Sequence, residues 1–174
     1  GIPNTGKSTL FNRIIGERKA IIHSSAGMTR DIHRAFFRLE GRTVLLQDTG
    51  GYFNDGKLID REIRRKVMQA VGESDLVVFL FDGRQELLGY EEDMYLAVRR
   101  AGVPMIAAVN KIDIEEKHTI PASYYRLHKD LIFLSAEHNR GIDRLLQKIS
   151  RKIGASTSQA PIPDPASPLW GAGW

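Results

Sequence analysis

Gly1-Ile2-Pro3-Asn4-Thr5-Gly6-Lys7-Ser8 sets glycines at both ends of a short loop with a lysine and a hydroxyl directly behind it, the pattern G-x-x-x-x-G-K-[ST] of a phosphate-binding loop. The chemistry depends on that order. Glycine lets successive backbone N–H groups turn inward around a β-phosphate, and the helix that follows offers it the positive end of its dipole. Lys7 is placed to reach the β- and γ-phosphates, and the Ser8 hydroxyl to ligate Mg2+, with Thr9 beside it completing the nucleotide-binding run. Mg2+ keeps several waters and takes few protein oxygens, so one hydroxyl is enough to begin its shell.

Asp48-Thr49-Gly50-Gly51 follows an apolar run, where an acidic residue at the carboxyl end of a strand holds Mg2+, here through water, and the Gly51 N–H can meet a γ-phosphate. Thr29 lies in a polar stretch between the first helix and a hairpin. As a further Mg2+ ligand it would be engaged only with γ-phosphate present, which makes that loop a switch. Asn110-Lys111-Ile112-Asp113 follows another apolar strand. The Asp113 carboxylate can accept from guanine N1–H and from the exocyclic amine, two donors that adenine does not offer together, so it selects guanine. Asn110 can bridge the base to the phosphate loop, and the Lys111 stem can cover the ring. In Ser135-Ala136-Glu137 the Ala136 N–H is placed to meet guanine O6.

The elements that carry these residues alternate. Leu10, Phe11, Ile14 and Ile15 share one helical face; Ala35, Phe37 and Leu39 alternate along a strand, and Gly41-Arg42 turns it into Val44-Leu45-Leu46 as a hairpin. Ile59, Ile63, Val67, Ala70 and Val71 form a helical stripe, as do Met94, Ala97, Val98 and Ala101, and as do Ile142, Leu145, Leu146, Ile149 and Ile153. Leu76–Phe81, Met105–Val109 and Leu131–Leu134 read as buried strands, apolar throughout because both faces are covered. The fold class is α/β, a three-layer P-loop sandwich with a mostly parallel sheet and one antiparallel hairpin strand. A central strand is expected immediately ahead of Gly1 and is not in this sequence. Residues 1–153 make one nucleotide-binding domain, and the Pro-, Ala- and Ser-rich residues 154–174 a linker.

With 174 residues, 42% hydrophobic and 26% charged, the chain has the balance of an ordinary globular domain. It has no cysteine, which excludes thiol catalysis and Cys-based metal sites and suits a reducing, cytoplasmic setting. No apolar run is long enough to span a membrane. The net charge of +4 suits RNA or phosphate without requiring either, and the basic residues Arg61, Arg64, Arg65 and Lys66, without interleaved aromatics, read first as a solvated helix face.

Taken together, G-x-P-N-x-G-K-S-T-L-F-N at 1–12, G-x-T-R-D at 27–31, D-T-G-G at 48–51, N-K-x-D at 110–113 and S-A-x-x-x-x-G at 135–141 resemble the Era-like bacterial GTPases. Within that group D-T-G-G is most similar to the first GTPase domain of the tandem-domain Der (EngA) ribosome-assembly factors. The resemblance implies GTP and GDP as ligands, Mg2+ as cofactor, a second GTPase domain beyond the linker, and contact with a ribosomal subunit or its RNA through the full-length protein. It also implies that the water-orienting glutamine of other GTPases is missing, its position being Tyr52, and that Asn4 helps hold a K+ ion that neutralises developing charge, so that Lys7, Thr29, Asn4 and Gly51 are the catalytic set. Ala26 departs from the proline common before the Gly-x-Thr-Arg-Asp run and leaves that backbone freer. Two readings follow: a slow, K+-stimulated GTPase acting as a switch, or a nucleotide-gated ribosome-binding module with negligible intrinsic hydrolysis.

Overall fold

The computed structural model describes residues 1–17, 33–50, 61–112 and 121–155. Helix α1 (Lys7–Glu17) starts directly behind Gly6, whose carbonyl accepts from Leu10 N at 2.9 Å, and it buries Leu10, Ile14 and Ile15. Strands β1 (His33–Leu39) and β2 (Arg42–Asp48) pair antiparallel, His33 opposite Asp48 and Leu39 opposite Arg42. The turn is Glu40-Gly41, with φ of 47° and 80°. Two positive values give the I′ type whose twist matches the strands, so Arg42, expected in the turn, instead opens β2.

Next come α2 (Arg61–Gly72), β3 (Val77–Asp82), α3 (Gly89–Arg100), β4 (Met105–Asn110), α4 (Ala122–Leu127), β5 (Ile132–Phe133) and α5 (Ile142–Ala155). β3, β4 and β5 are parallel in that order, with Asp82 opposite Asn110. Both faces of these strands are covered. Leu80, Ile106 and Ala108 cluster with α1, α5 and the inner face of the hairpin, whereas Phe79, Phe81, Ala107 and Val109 cluster with α2, α3 and α4. That is the expected three-layer arrangement.

Between β2 and β3 the layers do not close. Among the described residues the two sheets share no strand pairing, and a cleft of 360 Å³ between them is lined by Val44, Leu46, Val78 and Leu80 and by Gly1. Helix α3 also corrects the sequence reading, since its buried face is Glu91, Met94, Tyr95 and Val98 rather than the stripe running through Ala97 and Ala101. Tyr95 decides the rotation: its ring packs 5.3 Å from Phe79 and 5.5 Å from Phe81, and burying a large aromatic outweighs burying alanines. α5 continues to Ala155, past the boundary expected at 153. Among the described residues no helix is long and apolar enough to cross a membrane.

Candidate functional site

The loop ahead of α1 is built on two left-handed residues, Asn4 at φ 63° and Gly6 at φ 89°. At Gly6 only glycine fits, because a Cβ would lie 2.3 Å from Asn110 Nδ2. Buried Thr5 donates its hydroxyl to the Ile2 carbonyl at 3.1 Å, and Lys7 Nζ donates to the same carbonyl at 2.6 Å, which ties the lysine across the loop. Burial lowers the Lys7 ammonium to a pKa of about 8, against the pull of Asp48 and Glu91 toward a higher value.

Ser8 and Asp48, 40 residues apart, are in contact: the hydroxyl donates to Asp48 Oδ2 at 2.6 Å. Asp48 closes β2, and its Oδ1 accepts from Gly50 N at 2.7 Å, so the Asp48-Thr49-Gly50 turn is folded back over its own carboxylate. A hydroxyl and a carboxylate meeting in this way are the hard oxygen donors Mg2+ takes. Among the described residues no cluster of three or more His, Asp or Glu could hold a metal unaided, so a cation on Ser8 and Asp48 would draw its other ligands from phosphate and water.

On the opposite side of the loop stands Asn110, buried at the end of β4. Its Nδ2 donates to the Thr5 carbonyl at 2.8 Å, and its Oδ1 accepts from Ala136 N at 2.9 Å. The Ala136 N–H, expected at guanine O6, is directed at Asn110 here. Lys111 takes a left-handed backbone, φ 65°, and its Nζ donates to the Asn4 carbonyl at 2.6 Å and to Asp82 Oδ2 at 2.7 Å. A small cavity beside these groups is lined by Gly6, Thr9, Arg84, Lys111, Ser135 and Glu137.

The phosphate run Gly1–Thr9, the Asp48–Gly50 turn, Asn110, Lys111 and the 135–137 loop therefore converge on one end of the domain. Thr29, Gly51, Tyr52 and Asp113 lie outside the described residues, as does the tail holding Trp170 and Trp174. Sequence reasoning missed Asp82, which pairs with Lys111, and Arg84, which lines the cavity. Asp82 had a signal: like Asp48, it ends an apolar strand at the carboxyl edge, where α/β sheets bind ligands. Glu91 was missed as well. It is 2% exposed, its Oε1 has no hydrogen-bond partner among the described residues, and burial raises its pKa to about 7.

A family model described as 50S ribosome-binding GTPase matches residues 1–111. The chain is 38% identical over 157 residues to GTPase Der of Geotalea uraniireducens, covering 88% of this chain and 35% of that protein. It is 37% identical over 171 residues to GTPase Der of Solidesulfovibrio magneticus, covering 97% of this chain and 38% of that one. The chain thus spans little more than a third of these relatives. Among solved structures it resembles the G domain of the T. maritima FeoB iron transporter, with a TM-score of 0.64 at 25% identity over 88% of this chain and 94% of that one.

Proposed function

The chain belongs to the 50S ribosome-binding GTPase family, and on that premise we propose that it binds GTP and GDP with Mg2+, hydrolyses GTP slowly as a switch, and does so within a cytoplasmic protein that assembles ribosomal subunits. The observation that carries the reading is Asn110, whose one amide joins the phosphate loop at Thr5 to the 135–137 loop at Ala136. A ligand with phosphates at one end and a purine at the other spans just those two loops.

In this reading the backbone of residues 1–8 encloses the β-phosphate, Lys7 leaves the Ile2 carbonyl for the β- and γ-oxygens, and Ser8 and Asp48 hold the cation that neutralises them. Bound Mg2+ supplies Lewis-acid stabilisation of the phosphoryl oxygens. Asp113 reads the base, and Thr29 and Gly51 sense the γ-phosphate. Tyr52 has no amide with which to orient water, so turnover is slow; a K+ ion, if bound, would be held with the help of Asn4 and would supply positive charge against the charge developing on the phosphates. A second GTPase domain follows the linker in the whole protein, which reaches the ribosomal subunit or its RNA. The alternative, a nucleotide-gated binding module without turnover, draws on the exposed Arg61, Arg64 and Arg65 of α2.

Titrating the chain with fluorescent GDP in Mg2+ buffer, then competing with GDP, XDP and ADP, tests the binding reading. Displacement by GDP alone is expected; equal displacement by ADP would refute guanine selection. Phosphate release measured in KCl and in NaCl then separates switch from module, since a module gives no release in either salt.

A further inference from the structure

Helix α1 carries, on one face, two side chains outside every phosphate and base motif. Arg13 Nε donates to the Ala136 carbonyl at 3.0 Å and its Nη2 to the Glu137 carbonyl at 2.7 Å. One turn further on, Glu17 accepts from Asn139 Nδ2. Side chains spaced i, i+4 project from the same side of a helix, so α1 grips the 135–139 segment at successive points.

The segment they hold is already closed on itself. Ser135 and Arg140 exchange backbone hydrogen bonds of 2.9 and 3.0 Å, and Gly141, at φ 74°, sits where a Cβ would lie 2.5 Å from the Phe133 carbonyl. What remains to be fixed is how this compact loop sits against the rest of the site. Its Ala136 residue is held from both sides, the N–H by Asn110 Oδ1 and the carbonyl by Arg13. A guanidinium suits the task because its rigid planar fork serves two neighbouring carbonyls in a fixed relative geometry, which the freely rotating donors of an ammonium do not impose.

We propose that Arg13 is a positioning residue for purine recognition: by locking the Ala136 and Glu137 peptide planes onto α1, it sets the affinity of the base loop while touching no ligand itself. α1 is also the helix whose first turn bears Lys7 and Ser8. At roughly 1.5 Å per residue, Arg13 stands about 9 Å along the same rod, so phosphate loop and base loop share one rigid support. This inference rests on the reading that the 135–137 loop faces a purine.

The test uses Arg13→Ala and Arg13→Lys in the 174-residue chain. Affinity and release rate are measured with fluorescent GDP, affinity for inorganic tripolyphosphate is measured by competition, and melting temperature is recorded. Arg13→Ala should weaken GDP about tenfold, mainly through faster release, and leave tripolyphosphate within about twofold of the parent. Arg13→Lys, which keeps the charge and one hydrogen bond, should fall between, and it decides the matter if the alanine variant does not fold. GDP binding unchanged in both variants overturns the proposal, as does an equal loss of GDP and tripolyphosphate, which would mark a merely structural role. A parent chain that binds neither GDP nor ADP overturns the functional reading and this inference with it; one that binds both equally overturns guanine selection alone, and a nucleotide-binding parent with indifferent variants overturns this inference alone.

Discussion

The Asn110 side-chain amide donates to the Thr5 carbonyl across 105 residues of sequence, at 2.8 Å, and lies where any Cβ at Gly6 would collide with it. The contact is buried, and Asn110 also satisfies the Ala136 N–H. Replacing Asn110 with alanine strands a carbonyl and an N–H, each worth roughly 1–3 kcal/mol when left unsatisfied. The expected outcome is a melting temperature lower by about 5–10 °C, together with GDP affinity weakened by at least about tenfold. A variant with parental melting and affinity would mean that water replaces the amide and that the two loops are not joined through it.

Ser8 and Asp48 predict the metal dependence. With the hydroxyl gone in Ser8→Ala, Asp48 loses its 2.6 Å partner and the cation loses a ligand. GDP retention in the parent should fall when EDTA is added, and in Ser8→Ala should be weak with or without Mg2+. Filter-binding or fluorescence decay measures this directly; full Mg2+ sensitivity in the variant would move the cation away from Ser8.

Lys7 sets a pH limit. Its pKa is lowered to about 8, chiefly by burial, so the ammonium needed for phosphate is intact below that pH and is lost above it. Provided that the nucleotide binds only the charged form, apparent affinity should be flat from pH 6 to 7 and then weaken by about tenfold for each unit above 8. A profile flat to pH 10 would show that Lys7 stays charged in the free chain.

The site's backbone half was legible because its residues are consecutive. A loop such as 1–8 carries its geometry in its own glycines, and Asp48 or Asn110 follows an apolar run that announces a strand end. Arg13 and Glu91 carry no such sign. Arg13 looks like any exposed cation on an amphipathic helix, and its partners, Ala136 and Glu137, are more than 120 residues away and offer only carbonyls. Glu91 was passed over for its charge, although it stands at i with Met94, Tyr95 and Val98 at i+3, i+4 and i+7. Hydrophobic periodicity finds the face of a helix only when its buried residues are apolar.

Glu91 predicts a second pH effect, of the same origin but with the pKa shifted in the opposite direction. Burial raises its pKa to about 7, with Asp82 adding to the rise and Lys7 and the Gly1 amino group opposing it. The folded chain therefore holds a proton that the unfolded chain releases near its ordinary carboxylate pKa. Stability should fall as pH rises from about 4.5 to about 7 and remain lower above that. Glu91→Gln removes the titration, so its melting temperature should exceed the parent's at pH 8 and match it near pH 4.5. Parallel pH profiles for the two proteins would show that Glu91 stays ionised in the fold.

The cleft between β2 and β3 predicts what a strand there would do. Its walls include Val44, Leu46, Val78 and Leu80, and the facing edges of β2 and β3 offer backbone groups to a strand between them. Gly1 lines the cleft and lies against the Leu80 carbonyl of β3, so residues added upstream of it are expected to enter the cleft alongside β3. Extending the chain upstream by about six residues of alternating valine and leucine fills the 360 Å³ with side chains worth roughly 1.5–3 kcal/mol each when buried. The extended chain should melt at least about 5 °C higher and bind less of a hydrophobic dye than the parent. If the dye signal and the melting temperature are both unmoved, the cleft does not accept a strand, and the separation of the two sheets has another cause.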